Sequence, residues 1–119
     1  MVVQQMDADM AESVAGVVRL LRRAAELVWL EADAEGPRSD LQLLALSVDV
    51  AADEARALLP SWVNVDAGPV PVGVVPVELL RSAERLTGHM CRSEVPAGLV
   101  AVRARLVELV WEANTGAGA

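Results

Sequence analysis

Apolar residues recur every three or four positions in four separate stretches of this chain, a spacing typical of helices with one buried face. It predicts helices over residues 7–35, 39–59, 76–90 and 94–114. Two of these stretches open with capping-box sequences, DMAE at residues 9–12 and SDLQ at residues 39–42. The 119 residues are therefore predicted to form a single all-α domain.

The connections between the first and second helices, and between the third and fourth, are short. Each pair is therefore predicted to form an antiparallel helical hairpin, and the two hairpins together a four-helix bundle. The first helix is much longer than the others. We expect it either to pack along its extra length or to kink at Gly16.

The segment PSWVNVDAGPVPVGVV, residues 60–75, separates the two hairpins and is called the crossover here. Its prolines and glycines disfavour a helix, and it is longer than the roughly two to eight residues usual between bundled helices. Trp62 and the valines would be costly to leave in water, so we expect an ordered segment. It either packs on its own bundle or contacts a partner or ligand. Apolar and other residues alternate in parts of the segment, so a small β-hairpin, with its proline-containing strand at an edge, remains an alternative.

The composition predicts burial beyond what one chain provides. Hydrophobic residues make up 54% of the chain, and eight glycines come in addition. In a typical soluble domain the apolar residues, with glycine included, make up about 45–50%. This surplus favours a subunit interface, most simply that of a homodimer. The chain also lacks Lys, Ile, Phe and Tyr, whose codons are AT-rich, so we expect a bacterial source of high GC content.

The charge and the termini restrict the possible partners and compartments. A net charge of −7 opposes binding to nucleic acid and to anionic membranes. No apolar stretch is long enough to span a bilayer, and the start MVVQQMDADM lacks the features of a signal peptide. Cys91 is the only cysteine and has no internal partner, so we expect a reduced, cytoplasmic protein.

No residue set matches a catalytic constellation, so the sequence assigns no catalytic residue, metal ligand or cofactor. Two groups of carboxylates are interpreted as solvated acid: Glu31, Asp33, Glu35, Asp40 and then Asp49, Asp53, Glu54. Binding of Mg²⁺ by these groups stays open. His89 and Cys91 supply only two of the three or four ligands that zinc needs, and their role is left open.

Residues expected to meet a partner or ligand come from the crossover, the tryptophans and an arginine pair on the third helix. They are Trp62, Val63, Val65, Val70, Val72, Trp29, Trp111, Arg81 and Arg85. Arginines of the first and third helices are suited to clamp a phosphate or carboxylate. The preferred interpretation is that they pair with nearby glutamates.

The sequence favours a non-enzymatic homodimeric protein-interaction or accessory module, because this function requires no feature that the chain lacks. One alternative is a small-molecule-binding helical protein with an apolar pocket. One or two arginines beside such a pocket would support it. A Mg²⁺-dependent hydrolase that uses the helix carboxylates is the less favoured alternative.

Overall fold

The computed structural model describes residues 8–35, 39–90 and 97–115, which contain four α-helices. They are α1 (Ala8–Glu35), α2 (Ser39–Ala57), α3 (Pro76–Met90) and α4 (Ala97–Thr115). A single turn of 3-10 helix, Val65–Ala67, lies in the crossover, and the described residues contain no β-strand. The predicted all-α fold with four packed helices is confirmed. The β-hairpin considered for the crossover does not form, since its prolines remove donors that a strand needs.

The apolar stripes that predicted the helices supply most of the core. The largest fully buried side chains are Leu21, Leu79, Leu80, Leu99, Leu106, Leu109, Val14, Val17, Val18, Val28, Val48 and Val102. One difference concerns the end of α2, which lies at Ala57, two residues before the predicted end. Leu58 and Leu59 instead form a turn, and Leu59 is the buried one of the two. Pro60 explains this, because a residue before proline is disfavoured in helical conformation.

The helices pack as a closed ring. α1 contacts α2 and α3, and α4 contacts the same two helices, while α1 and α4 do not pack on each other within the described residues. Helices α2 and α3 therefore lie at opposite corners, and the chain between them must pass another helix. The 3-10 turn of the crossover packs on α1, so the connection runs across this helix.

Helix α1 is one continuous helix that runs through Gly16. The side chain of Leu86 in α3 lies 3.6 Å from the position that a Cβ atom at Gly16 would take. The length of α1 is accommodated because α2, α3 and the crossover all pack on it.

The crossover has an inner and an outer side. Val65 is buried in the core, and Val63 and Val74 pack against it. By contrast, Trp62 is 70% exposed and Val72 is 90% exposed. The crossover thus completes the bundle with some of its apolar residues and presents others on its surface.

Candidate functional site

A cleft of about 380 Å³ lies between α1 and the crossover and is called the arginine cleft here. It is lined by Arg19, Arg22, Arg23, Glu26, Asp66, Val70, Pro71 and Val72. The four residues from α1 occupy one stretch of the helix surface, because positions three and four apart are neighbours on a helix. The four residues from the crossover form the facing wall.

Arg19 joins the two walls of the cleft. Its side chain is only 8% exposed, which is unusual for a charged residue. Its Nη1 donates a hydrogen bond to the Val65 carbonyl oxygen at 3.2 Å, and its Nη2 donates to Glu12 Oε1 at 2.9 Å. Its Nε is buried and has no hydrogen-bond partner among the described residues. The crossover therefore covers a guanidinium and is tied to it through its own backbone.

Gly68 allows the close approach of the crossover to Arg19. A Cβ atom at this position would overlap the guanidinium group and lie 2.5 Å from Nε. The backbone of Gly68 is extended, with φ −125°, so other residue types could adopt its conformation. Glycine is favoured here because of space, since the Arg19 guanidinium occupies the volume that a side chain would fill and would have to move.

The other two arginines of the cleft are held less firmly. Arg22 Nη1 lies 3.4 Å from Asp66 Oδ1, and both side chains are largely exposed. Arg23 Nη1 donates to Glu26 Oε1 at 2.9 Å within α1. Exposed pairs of this kind contribute about 0–1 kcal/mol, so both guanidinium groups can exchange their carboxylate for another anion at little cost.

Apolar residues of the crossover form the outer part of the cleft. Val70, Pro71 and Val72 line it, and both valines are exposed. Pro69 and Pro71 restrict the backbone on both sides of Val70. The cleft therefore combines a cationic wall on α1 with an apolar wall whose conformation is restricted.

The structure divides the predicted crossover residues into two groups. Val70 and Val72 line the cleft, whereas Val65 is buried and Val63 is packed against the core. Trp62 is exposed and is not part of the cleft lining. Only two of the five predicted crossover residues therefore contribute to this site.

The predicted tryptophans and the third-helix arginines lie elsewhere. Trp29 Nε1 donates a hydrogen bond to Asp49 Oδ2 at 2.9 Å, which joins α1 to α2, and Trp111 is exposed on α4. Arg81 donates to Glu78 at 2.6 Å, and Arg85 donates to Ser82. The prediction that arginines pair with nearby glutamates is confirmed for Arg81, as it is for Arg19 and Arg23 of the cleft.

The acidic residues are dispersed. Within residues 8–35, 39–90 and 97–115, no group of three or more His, Cys, Asp or Glu is placed to hold a metal ion. Asp49 accepts from the indole of Trp29, and Glu54 Oε1 lies 2.5 Å from Arg105 Nε of α4. This last pair is an ion pair whose geometry is not that of a hydrogen bond. His89 is exposed at the end of α3, and Cys91 lies outside the described residues.

Sequence reasoning interpreted the arginines of α1 as partners of nearby glutamates, with a clamp for phosphate or carboxylate as the alternative, and did not find the contact of Arg19 with the crossover. No pattern in the sequence could have found it, because Arg19 and Val65 are separated by 46 positions. Gly68 carries a weak signal only, since glycine among prolines and valines is also typical of an ordinary turn.

Helix α4 presents a second candidate surface on its outer side. Val100, Val107 and Trp111 are exposed there, with Trp111 at 68%, and Ala104 is exposed between them. These four residues follow one another at intervals of four, three and four positions, so they form one stripe along the helix. The stripe is called the outer seam here.

Comparison with known proteins gives no relative: no protein-family model, curated protein or solved structure matches this chain. Among the helices in the described part of the chain, none is both long and apolar enough to cross a membrane.

Proposed function

We propose that this protein is a non-enzymatic homodimeric interaction module, in which the outer seam of α4 packs on the same seam of a second copy. The single observation behind the proposal is that α4 carries two apolar stripes. The inner stripe, buried in the bundle, consists of Leu99, Val102, Leu106, Leu109 and Ala113. The outer seam lies on a different side of the helix, and its residues are exposed. A helix that is apolar on two sides is typical of one that is buried on both.

The charged residues of α4 leave the outer seam largely apolar. Arg105 turns toward α2, where it forms the ion pair with Glu54. Arg103 lies against α3, with its Nε 3.4 Å from the position of a Cβ atom at Gly88. The guanidinium groups of both arginines thus approach neighbouring helices, while Arg103, Glu108 and Glu112 are exposed beside the seam. Depletion of charge at the centre of an exposed surface is typical of protein interfaces.

The sizes of the seam residues fit an antiparallel pairing with a second copy. When the twofold axis passes between Ala104 and Val107, Trp111 of one copy lies opposite Val100 of the other. The same pairing also sets Val107 opposite Ala104. Large residues then meet small ones across the interface, as good packing requires. The arrangement has twofold symmetry, the commonest symmetry of soluble oligomers.

The proposed architecture of each subunit is two antiparallel helical hairpins, α1–α2 and α3–α4, joined by the apolar crossover at residues 60–75. Two side-chain contacts between paired helices support it. Arg81 in the first half of α3 donates to Asn114 near the end of α4 at 3.0 Å. Trp29 in the last third of α1 bonds to Asp49 at the middle of α2. A cytoplasmic location is part of the proposal and is supported by the single cysteine of the chain.

Native mass spectrometry of the purified protein, compared with its Ala104→Glu variant, tests the proposal. Ala104 is exposed in the subunit, so the variant should fold normally. In the dimer the new carboxylate would be desolvated at the centre of the interface, which should weaken association by about a hundredfold or more. Ala57→Glu, at an exposed alanine of α2, is the matched control and should remain a dimer.

Two results would contradict the proposal. The first is a wild-type protein that is monomeric at micromolar concentrations. The second is an Ala104→Glu variant that dimerises as well as Ala57→Glu, which would exclude the outer seam as the interface. A wild-type dimer that becomes a folded monomer only with Ala104→Glu supports it.

A further inference from the structure

We infer that the arginine cleft binds a small organic anion, namely a single carboxylate or phosphate-ester group attached to a short apolar body. This site is separate from the outer seam, because its residues belong to α1 and the crossover. The inference does not depend on the proposed dimer. It follows from the charge, the free donors, the apolar wall and the fixed geometry of the cleft.

The charge of the cleft is opposite in sign to that of the protein. Arg19, Arg22 and Arg23 contribute three positive charges to its lining, and Glu26 and Asp66 contribute two negative ones. The lining residues therefore carry one net positive charge in a chain whose net charge is −7, while Glu12, outside the lining, pairs with Arg19. Arg22 and Arg23, whose ion pairs are weak and partly exposed, make this cleft more favourable for an anion than a purely acidic surface.

The guanidinium groups retain donors for a ligand. Each guanidinium has five N–H donors in a planar fork that matches a carboxylate or a phosphate. Four hydrogen bonds to other described residues engage the three arginines, and three of these go to exposed carboxylates across the cleft or along α1. The contact between Arg22 and Asp66 is the longest of them at 3.4 Å. A ligand oxyanion can replace Asp66 there with better geometry.

The apolar wall and the volume restrict the rest of the ligand. A ligand whose anionic group lies against α1 would place its apolar body against the side chains of Val70, Pro71 and Val72. Val72 is 90% exposed, so a ligand body that covers it removes apolar surface from water. A volume of about 380 Å³ lies at the lower end of the range for ligand pockets, about 300–1,000 Å³. The ligand is therefore small.

The two walls are held at a fixed separation before any ligand arrives. Arg19 binds the Val65 carbonyl, and Gly68 rests on the same guanidinium. The residues that follow Gly68 are restricted by Pro69 and Pro71. A preformed site loses less conformational freedom on binding, so weak individual contacts suffice for measurable affinity.

Titration of the ¹⁵N-labelled protein, followed by NMR, tests the inference with four probes. Hexanoate and hexyl phosphate carry both parts of the predicted ligand, 1-hexanol lacks the anion, and inorganic phosphate lacks the apolar body. We expect the first two to shift the amide signals of residues 66–72 and of α1 near Arg22, with saturation in the micromolar to millimolar range. The preferred one of the two identifies the anion as carboxylate or phosphate. The other two probes should bind at least about fivefold more weakly.

Charge variants supply the decisive comparison. Arg22→Gln and Arg23→Gln should each weaken hexanoate binding by about two- to fivefold. Glu26→Gln should strengthen it by a similar factor, because it removes a competing carboxylate. Arg81→Gln, on α3 outside the cleft, is the matched control and should leave the affinity unchanged. None of these side chains is buried, so all four variants should fold.

Three outcomes would overturn the inference. One is saturation by neither anionic probe. Another is an equal response to 1-hexanol and hexanoate, which would make the cleft a plain apolar surface. The last is an equal loss of affinity in Arg22→Gln and Arg81→Gln, which would mean that anions bind diffusely over the surface.

Discussion

Replacement of Gly68 by alanine should loosen the crossover from α1. The new methyl group would occupy the volume of the Arg19 guanidinium, so either this group or the crossover must move. Movement of the guanidinium breaks its hydrogen bond to the Val65 carbonyl, which lies at 3.2 Å in a buried environment. The alanine itself introduces no backbone strain, because φ at this position is −125°.

The net effect is a difference of two contributions. A hydrogen bond from a charged group contributes about 1.5–3 kcal/mol to the free energy of unfolding. Alanine in place of glycine returns about 0.4–1 kcal/mol, because it restricts the unfolded chain. Gly68→Ala should therefore destabilise the protein by about 0.5–2.5 kcal/mol. The bond between Arg19 and Glu12 adds little, since Glu12 is exposed.

The effect of Gly68→Ala on the free energy of unfolding should change sign when Arg19 is absent. In the Arg19→Ala background the volume beside Gly68 is empty and the hydrogen bond is already lost. Only the effect on the unfolded chain then remains, so Gly68→Ala should stabilise that variant by about 0.4–1 kcal/mol. The coupling energy between the two positions should be about 1.5–3 kcal/mol, within the range for residues in direct contact.

Gly73 provides a matched control in the same segment. It has φ +75°, a conformation that alanine adopts at a cost of about 1–2 kcal/mol, and no atom of the described residues lies within 4 Å of its potential Cβ. Gly73→Ala should therefore destabilise the protein equally with and without Arg19. Urea unfolding followed by far-UV circular dichroism, at one protein concentration for all variants, gives the free energies. A Gly68→Ala effect that is the same in both backgrounds would refute the role assigned to Arg19.

Two further predictions concern stability. Asp49→Ala should cost about 1 kcal/mol and shift the indole N–H signal of Trp29 in NMR spectra, because it removes the acceptor at 2.9 Å, whereas Asp53→Ala should do neither. An unchanged indole signal would contradict this assignment. Leu106→Ala should cost about 2–5 kcal/mol in urea unfolding, because Leu106 is fully buried, whereas Val107→Ala should cost under about 0.5 kcal/mol in the monomer. Equal costs at these two neighbouring positions would mean that the burial of α4 is wrongly described.

Features that depend on neighbours along the chain were predictable. Pro76 begins α3 as predicted, because proline fits the first turn of a helix. The Arg81–Glu78 pair was expected, because residues three apart lie side by side on a helix. The end of α2 was predicted two residues late, because apolar spacing was followed up to Pro60 and the effect of proline on its preceding residue was not applied.

The candidate sites were predictable only in part. Val70, Val72 and Trp111 were expected to face a partner or ligand, and they are exposed at the arginine cleft and the outer seam. Val65 carried the same expectation and is buried instead. Apolar character alone does not distinguish a residue that faces the core from one that faces solvent in a segment without helical or strand periodicity.

The sequence by itself determined that this chain forms four helices and which face of each is buried, because helical periodicity is a local property that three or four neighbours establish. Only the tertiary structure decided which helices are adjacent and that the crossover passes over α1. It alone decided that Arg19, one of several similar arginines, is buried beneath Gly68. These features depend on contacts between residues more than forty positions apart, and the energy of such contacts is set by the packing of the whole chain.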